Sequence, residues 1–379
     1  MKRPMQPPQR RDAARRTVHL RGAAAAFILF TLLVGLDTVA WFRLQRSLDR
    51  QLDRFTLAAH ASGWSFSAQA GERGGWPLAA TLTLIRPSLR GGTGLVPGGI
   101  AWSGESVVLG LSFLHPHRAT VLAGGTQELS VAPGSSTSRP VRFWAARIAL
   151  WLPADAGHPA DKTLVLDADA LHVGAPGAGP DDIAQLAGLR ARVRWRADAA
   201  AGGAAAGPMH DAASLSVLLR DIALPARAGM GVGRVLQRAR LEARLDGRID
   251  AGSMPLPDAL ASWRSSGGRL RIEEASVDWG RSSAAAGGAF GLGTDGAADG
   301  RLDLVLGSPD ELLQQMRNAG LVGPGRMVAM RAVIGLIGAG QPGPRIHLPL
   351  QLEGGTLGIG ELPLLRIGAI GQLSSPAAR

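Results

Sequence analysis

The chain of 379 residues has no cysteine and no tyrosine. Without cysteine there is no disulfide framework, no thiolate zinc site, no iron–sulfur cluster and no cysteine nucleophile. Without tyrosine one acid/base candidate is gone. Lysine is almost absent too: only Lys2 and Lys162 accompany arginine among the 41 basic residues. Aromatics make up 4% of the chain. What is abundant is Ala, Gly, Arg and Pro, the signature of a GC-rich coding bias, so a lone arginine carries little functional information. The length is ample for a sizeable core.

The N-terminus is ordered by charge. Residues 1–21 carry Lys2, Arg3, Arg10, Arg11, Arg15, Arg16 and Arg21 against the single acid Asp12. Residues 22–42 follow, a mostly apolar stretch whose one charge is Asp37. As a helix their length is about 31 Å, the thickness of a bilayer core. Trp41 and Phe42 stand where an interfacial aromatic belt belongs. The basic tail orients such a helix with its N-terminus in the cytoplasm. This predicts a basic tail (1–21), a single-pass inner-membrane anchor (22–42) and a periplasmic body. A cleaved signal peptide is the competing reading, since Thr38-Val39-Ala40 offers a weak small-residue site. The formal charge of +11 then divides between tail and body. A basic tail beside a bilayer meets anionic lipid, and an exported body does not meet nucleic acid.

Beyond the span, Leu44, Leu48, Leu52 and Phe55 recur at helical spacing, which predicts a juxtamembrane helix over 43–62. From Gly63 the period becomes two. Residues 78–84, 189–195, 241–245 and 346–352 alternate apolar with polar, and 107–113, 148–152, 164–170, 215–219, 270–272 and 302–306 do so more weakly. Turn signals such as Gly91-Gly92, Asp246-Gly247, Gly267-Gly268 and Gly354-Gly355 separate them. No regular helices intervene, so a parallel sheet is disfavoured. The reading is a mainly β (α+β) body over 63–306, a large curved antiparallel sheet of ten or more strands. Residues 174–180 and 197–211 read as loops. Ser308-Pro309-Asp310-Glu311 has the pattern of an N-cap, N1 proline and capping box. It opens a helical hairpin over 307–340, and closing strands and a tail fill 341–379.

Catalytic motifs are scarce. Gly291-Leu292-Gly293-Thr294-Asp295-Gly296 matches a dinucleotide pattern but precedes a strand-like run, so it reads as a glycine-rich hairpin. His115-Pro116-His117 reads as a turn. Asp167 and Asp169 share one strand face, a carboxylate pair without a partner histidine in sequence. The best-organised charged feature is Arg190, Arg192, Arg194 and Arg196, four guanidiniums on one strand face and candidates for anionic headgroup contact. Met327, Met330, Val333, Ile334 and Ile337 form an apolar helix face that covers the sheet, lines a lipid site or meets the membrane.

Three stretches carry a resemblance. They are Gly75-Trp76-Pro77 leading into LAATLTLIRPSL, then SVDWG (276–280) with its hairpin and RLDLVLGSPDELL, and the finish IHLPLQLEGGTLGIGELPLL. With the N-terminal anchor they resemble a bacterial family known as domain of unknown function 2125, frequent in alphaproteobacteria. The SVDWG pattern is also similar to AsmA-like envelope proteins. The first resemblance implies an envelope location and no established activity; the second implies a one-helix anchor and a long β groove associated with lipid movement. The expectation is a non-enzymatic protein without cofactor or metal, binding membrane lipids or envelope proteins, of open oligomeric state. A structural scaffold is the alternative, and an envelope hydrolase would need a convergent polar site.

Overall fold

The alternating stretches become strands of one sheet. A computed structural model describes residues 11–92, 99–131, 139–153, 162–195, 211–225, 235–247, 262–293, 297–318, 323–339, 345–359 and 362–366. Helix α1 (Arg11–Ala61) leads into β1 (Ser65–Gly74), β2 (Ala79–Gly91), β3 (Ile100–Ser112) and β4 (His115–Val131). Then come β5 (Arg139–Trp144), β6 (Arg147–Pro153), β7 (Lys162–Gly174), β8 (Ala184–Trp195), β9 (Asp211–Ala223) and β10 (Val235–Asp246). The series continues with β11 (Arg269–Trp279), β12 (Ser282–Leu292) and β13 (Ala298–Gly307). Helices α2 (Pro309–Asn318) and α3 (Pro324–Gly338) precede β14 (Arg345–Glu353), β15 (Thr356–Ile359) and β16 (Leu362–Arg366).

The chain is mainly β, a 16-stranded antiparallel sheet in which nearly every strand pairs with its neighbour in sequence. One exception is instructive. β5 and β6 both pair with β4 on one side and β7 on the other, so they lie end to end in a single strand position, broken at Ala145-Ala146. That break belongs to a line across the sheet. β2 and β3 skip Arg86-Pro87 against Gly104-Glu105, and Arg86 has φ 49°. β3 and β4 shift register between Gly104 and Ser106. Ala170 in β7 (φ 51°) and Asp221 in β9 (φ 48°) continue the line. Left-handed non-glycine residues and register shifts bend strands, and here they are stacked strand on strand.

Helix α1 is continuous through the expected anchor and juxtamembrane segments. Among the described residues no helix is long and apolar enough to cross a membrane. The side chains of residues 22–30 and of Leu33, within the expected span, lie outside the described residues. The stripe of the juxtamembrane segment meets the sheet: Leu48 is buried with Leu82, Leu84, Val107 and Leu111, and Leu44 and Leu52 pack against that cluster. Gln45, also buried, donates through Nε2 to Gly74 O and Thr81 O, both at 3.2 Å. A second cluster gathers Trp279, Leu306, Leu312, Leu313, Met327 and Ile334 where α2 and α3 cover β11–β14. A third, Ala168, Leu171 and Leu186, lies between.

Some local expectations change. His115-Pro116-His117 opens β4, and the turn is Phe113-Leu114 just before it. Pro116 sits where the β3–β4 register shifts, so the ladder does not need its missing N–H. α2 begins at Pro309 as its start signal predicts, with Leu312 N donating to Ser308 O at 3.1 Å, but Ser308 has φ 50° and not the extended backbone of an N-cap. Loop residues 196–210, Gly320 and residues 294–296 lie outside the described residues. On either side of 294–296, Leu292 pairs with Ala298, so the Gly-x-Gly stretch is a β hairpin.

Glycine at 288 is required by space. A Cβ there would lie 2.1 Å from the Arg301 carbonyl oxygen and 2.8 Å from Leu302 Cα, backbone atoms that cannot swing away. At Gly291, three residues on, nothing lies within 4 Å. Gly288→Ala is expected to destabilise by about 1–3 kcal/mol or more, as overpacking does. Gly291→Ala should leave the unfolding midpoint unchanged within error. Thermal or urea unfolding of the two variants checks this.

Candidate functional site

An apolar groove runs between α1 and the face of the sheet it covers. Its volume is about 850 Å³. The physical origin is strand alternation. Alternate side chains of β2, β3, β4, β6 and β7 point into the groove, among them Leu84, Val107, Leu109, Val121, Leu150 and Leu166. Leu48, Leu52 and Phe55 of α1 form the opposite wall, with Phe55 edge-on to Phe66 at 5.3 Å. Trp102 and Phe143 lie towards one end, and Leu152, Pro153, Lys162 and Trp195 towards the other. The helix is too narrow to fill the face it crosses, so the remaining width stays open.

Polar groups are few and peripheral. Gln51, Arg54 and Lys162 line the groove. Among the described residues neither Arg54 nor Lys162 makes an ion pair. Gln127, 1% exposed, donates through Nε2 to Gly124 O at 2.9 Å, while its Oε1 has no hydrogen-bond partner. Lys162 pairs across the ladder with Trp195, which places both on the groove face.

The arginine stripe lies on the other face. Arg190, Arg192 and Arg194 alternate with the inward Ala191, Val193 and Trp195, so they point away from the groove. Arg196 lies outside the described residues. Arg190 pairs with Asp167 directly across the ladder, Nε to Oδ1 at 2.7 Å and Nη2 to Oδ2 at 3.3 Å. Asp167 thereby holds the Arg190 guanidinium above its ordinary pKa, by the hydrogen bond first and by its charge second. Arg192 and Arg194 face Ser216 and Ser214 of β9 and line a shallow polar depression of about 360 Å³ with Glu242, Arg244 and Glu273. Among the described residues Arg192 and Arg194 form no ion pair, whereas Glu242 is engaged by Arg240 and Glu273 by Arg244.

Asp167 and Asp169 do share a face, but each carboxylate is taken by a different arginine. Arg147 bonds Asp169 at 3.0 Å. The pair is therefore a set of cross-strand ion pairs and not a free acid/base couple. His172 is near in sequence but bonds the Ala170 carbonyl through Nδ1 at 3.0 Å and stacks on Trp144. Met327 and Ile334 of the apolar helix face are buried against the sheet and Met330 packs beside them. The side chains of Val333 and Ile337 lie outside the described residues. The groove itself was not legible as a site. Its walls are ordinary alternating strands, and the only pointer was the stripe Leu44, Leu48, Leu52 and Phe55, whose partner the sequence does not name.

The geometry defines a class: a single open antiparallel sheet whose apolar face is part covered by helices and part left as a groove. The sequence model of a family described as "Uncharacterized protein conserved in bacteria (DUF2125)" matches residues 41–367, and the chain belongs to that family. No curated protein matches, and no solved structure matches.

Exposed ion pairs contribute little. Arg190 is 64% exposed and Asp167 14%, so the bidentate pair should contribute no more than about 1 kcal/mol. Asp167→Asn is expected to shift stability by that amount or less. A urea denaturation series at low and high salt checks it, with the difference shrinking as salt rises.

Proposed function

We propose that this is a non-enzymatic lipid-binding protein of the cell envelope, held in the inner membrane by α1 with its β body in the periplasm. In this reading residues 22–42 span the bilayer, and α2 and α3 act as a helical hairpin covering the far part of a curved sheet. The observation that carries the reading is the groove: about 850 Å³, walled by Leu, Val and aromatic side chains, with cations only at its margins. Ligand pockets fall in this size range and are mostly apolar with a few placed polar groups. Each methylene moved from water into such a groove contributes about 0.8 kcal/mol. An acyl chain suits these walls, and Lys162 and Arg54 suit an anionic head. The basic N-terminal tail supports the orientation. The likeness to AsmA-like proteins rests on the sequence pattern alone.

A scaffold role is the second reading. It is favoured by the outer side of α3, where Val328 and Leu336 are 72% and 79% exposed. Crosslinking in membranes from residue 336 separates the two, since a scaffold returns one specific protein partner.

The groove reading is tested with the full-length protein purified in detergent and extracted for mass spectrometry. The expected result is a stoichiometric co-purified lipid. Ala123 lines the groove and is small. Ala123→Trp should expel that lipid while leaving the circular dichroism spectrum unchanged. Absence of bound lipid in the unaltered protein, with no uptake of a fluorescent phospholipid, counts against the reading.

A further inference from the structure

The direction of α1 on the sheet singles out one end of the molecule. Trp41 donates through Nε1 to Gly74 O at 3.4 Å, and Gln45 reaches Gly74 and Thr81. Further along, Phe55 meets Phe66, and the helix ends near Trp64, which lies against Gly91. The helix therefore runs parallel to the strands. Its N-terminal part leaves from the end that holds Gly74 and Thr81. Leu32, Leu36 and Val39 on that part are 65%, 69% and 53% exposed.

Two turns meet at the same end. The β1–β2 turn carries Trp76 and Leu78, and the β3–β4 turn carries Phe113 and Leu114. They are tied together, with Phe113 N donating to Leu78 O at 3.2 Å. Trp76 is 52% exposed, Leu78 67% and Leu114 75%, and Phe42 on the helix beside them is 53% exposed. Turn tips are ordinarily polar. Here three large apolar side chains stand out from adjoining tips, next to a helix whose apolar segment begins at the same level. Arg43 and Arg46, next along α1 from Phe42, and Arg118, four residues after Leu114, are exposed. Exposed apolar side chains gathered at one end, with basic residues on the same elements, mark a surface that meets lipid. Among the described residues, the exposed apolar groups towards the opposite end are Phe55, Leu57 and separate valines, Val131, Val141 and Val235, and no tryptophan there is exposed.

The groove reaches this same end. Ala119 pairs with Leu111 and with Leu152, Arg118 with Pro153, and Lys162 with Trp195, so the groove residues Leu152, Pro153, Lys162 and Trp195 stand at the level of the Phe113–Leu114 turn.

We propose that the turns bearing Trp76, Leu78 and Leu114, together with Phe42, form an interfacial seat on the outer surface of the bilayer, and that the seat brings the Lys162–Trp195 end of the groove to the headgroup level. The partner is the lipid surface itself. Trp76 and Trp41 take the amphipathic position that indoles occupy at membrane interfaces, and Arg43, Arg46 and Arg118 face anionic headgroups. An acyl chain then enters the groove from the bilayer without crossing water. The seat rests on the proposed anchor and extends it.

The absence of cysteine makes the test clean. Single cysteines replace Leu32, Leu78, Leu114 or Val141 in the full-length chain, each carries a nitroxide, and each protein is reconstituted in phosphatidylcholine–phosphatidylglycerol vesicles. The ratio of collision rates with oxygen and with a water-soluble nickel chelate reports depth. The expected order is Leu32 deepest, Leu78 and Leu114 at the interface with a ratio several-fold above that of Val141, and Val141 as in water. Labels at 78 and 114 that match Val141, while Leu32 reports lipid, overturn the seat and leave the anchor standing. A Leu32 label that also reports water overturns both. Spin–spin broadening between copies at 78 or 114, with water-like depth, overturns the seat in favour of a second copy of this chain.

Discussion

An open antiparallel sheet with one apolar face has to keep that face out of water, and the described helices cover only part of it. The rest of the structure follows from that partial cover. Among the described residues the sheet has fifteen strand positions, and three helices longer than a single turn serve them. α1 lies over β1–β3, and α2 and α3 lie over the far strands. Between the two, the Ala168, Leu171 and Leu186 cluster has no helix packed on it among the described residues. The groove is the part of the apolar face that α1 reaches but does not fill.

The way α1 is held explains why this arrangement is stable. A helix packed on a sheet by leucines alone could slide along the strands. Gln45 prevents this by donating to two carbonyls, Gly74 and Thr81, from a buried position. Arg73 and Asp49 add an exposed pair at 3.2 Å, whose contribution is small. Because helix position is set at the β1–β2 turn, the same contacts decide where the N-terminal apolar segment leaves the body and which turn tips lie beside it. Groove, helix exit and exposed tips are one arrangement.

The polar features separate cleanly from the apolar ones by strand alternation. The charged features that looked like chemistry, Arg190, Arg192 and Arg194 of the stripe and the Asp167/Asp169 pair, fall on the face away from the helices. There the charges mostly satisfy one another: Arg190 with Asp167, Arg147 with Asp169, Arg240 with Glu242. Period-two alternation puts cross-strand partners on one face, so a charged strand face tends to find its counterions next door.

The sequence by itself determined the strand-rich architecture, because a side-chain period of two survives without any knowledge of the neighbours. It also determined the leucine stripe of α1, the start of α2 at Pro309 and the family. Strands without that period were not legible. β12, with Ala284, Ala285, Ala286, Gly287 and Gly288, has too little side chain to alternate, and β4 begins with a proline-containing stretch that reads as a turn. Only the tertiary structure decided which strands the stripe of α1 lies on, and hence that Leu109, Val121 and Leu166, distant in sequence, wall one groove. It also decided that Arg190 spends its charge on Asp167 and that the turns bearing Trp76 and Leu114 meet through the bond from Phe113 N to Leu78 O. Register and helix placement are set by contacts between segments tens of residues apart, and a local pattern holds no record of them.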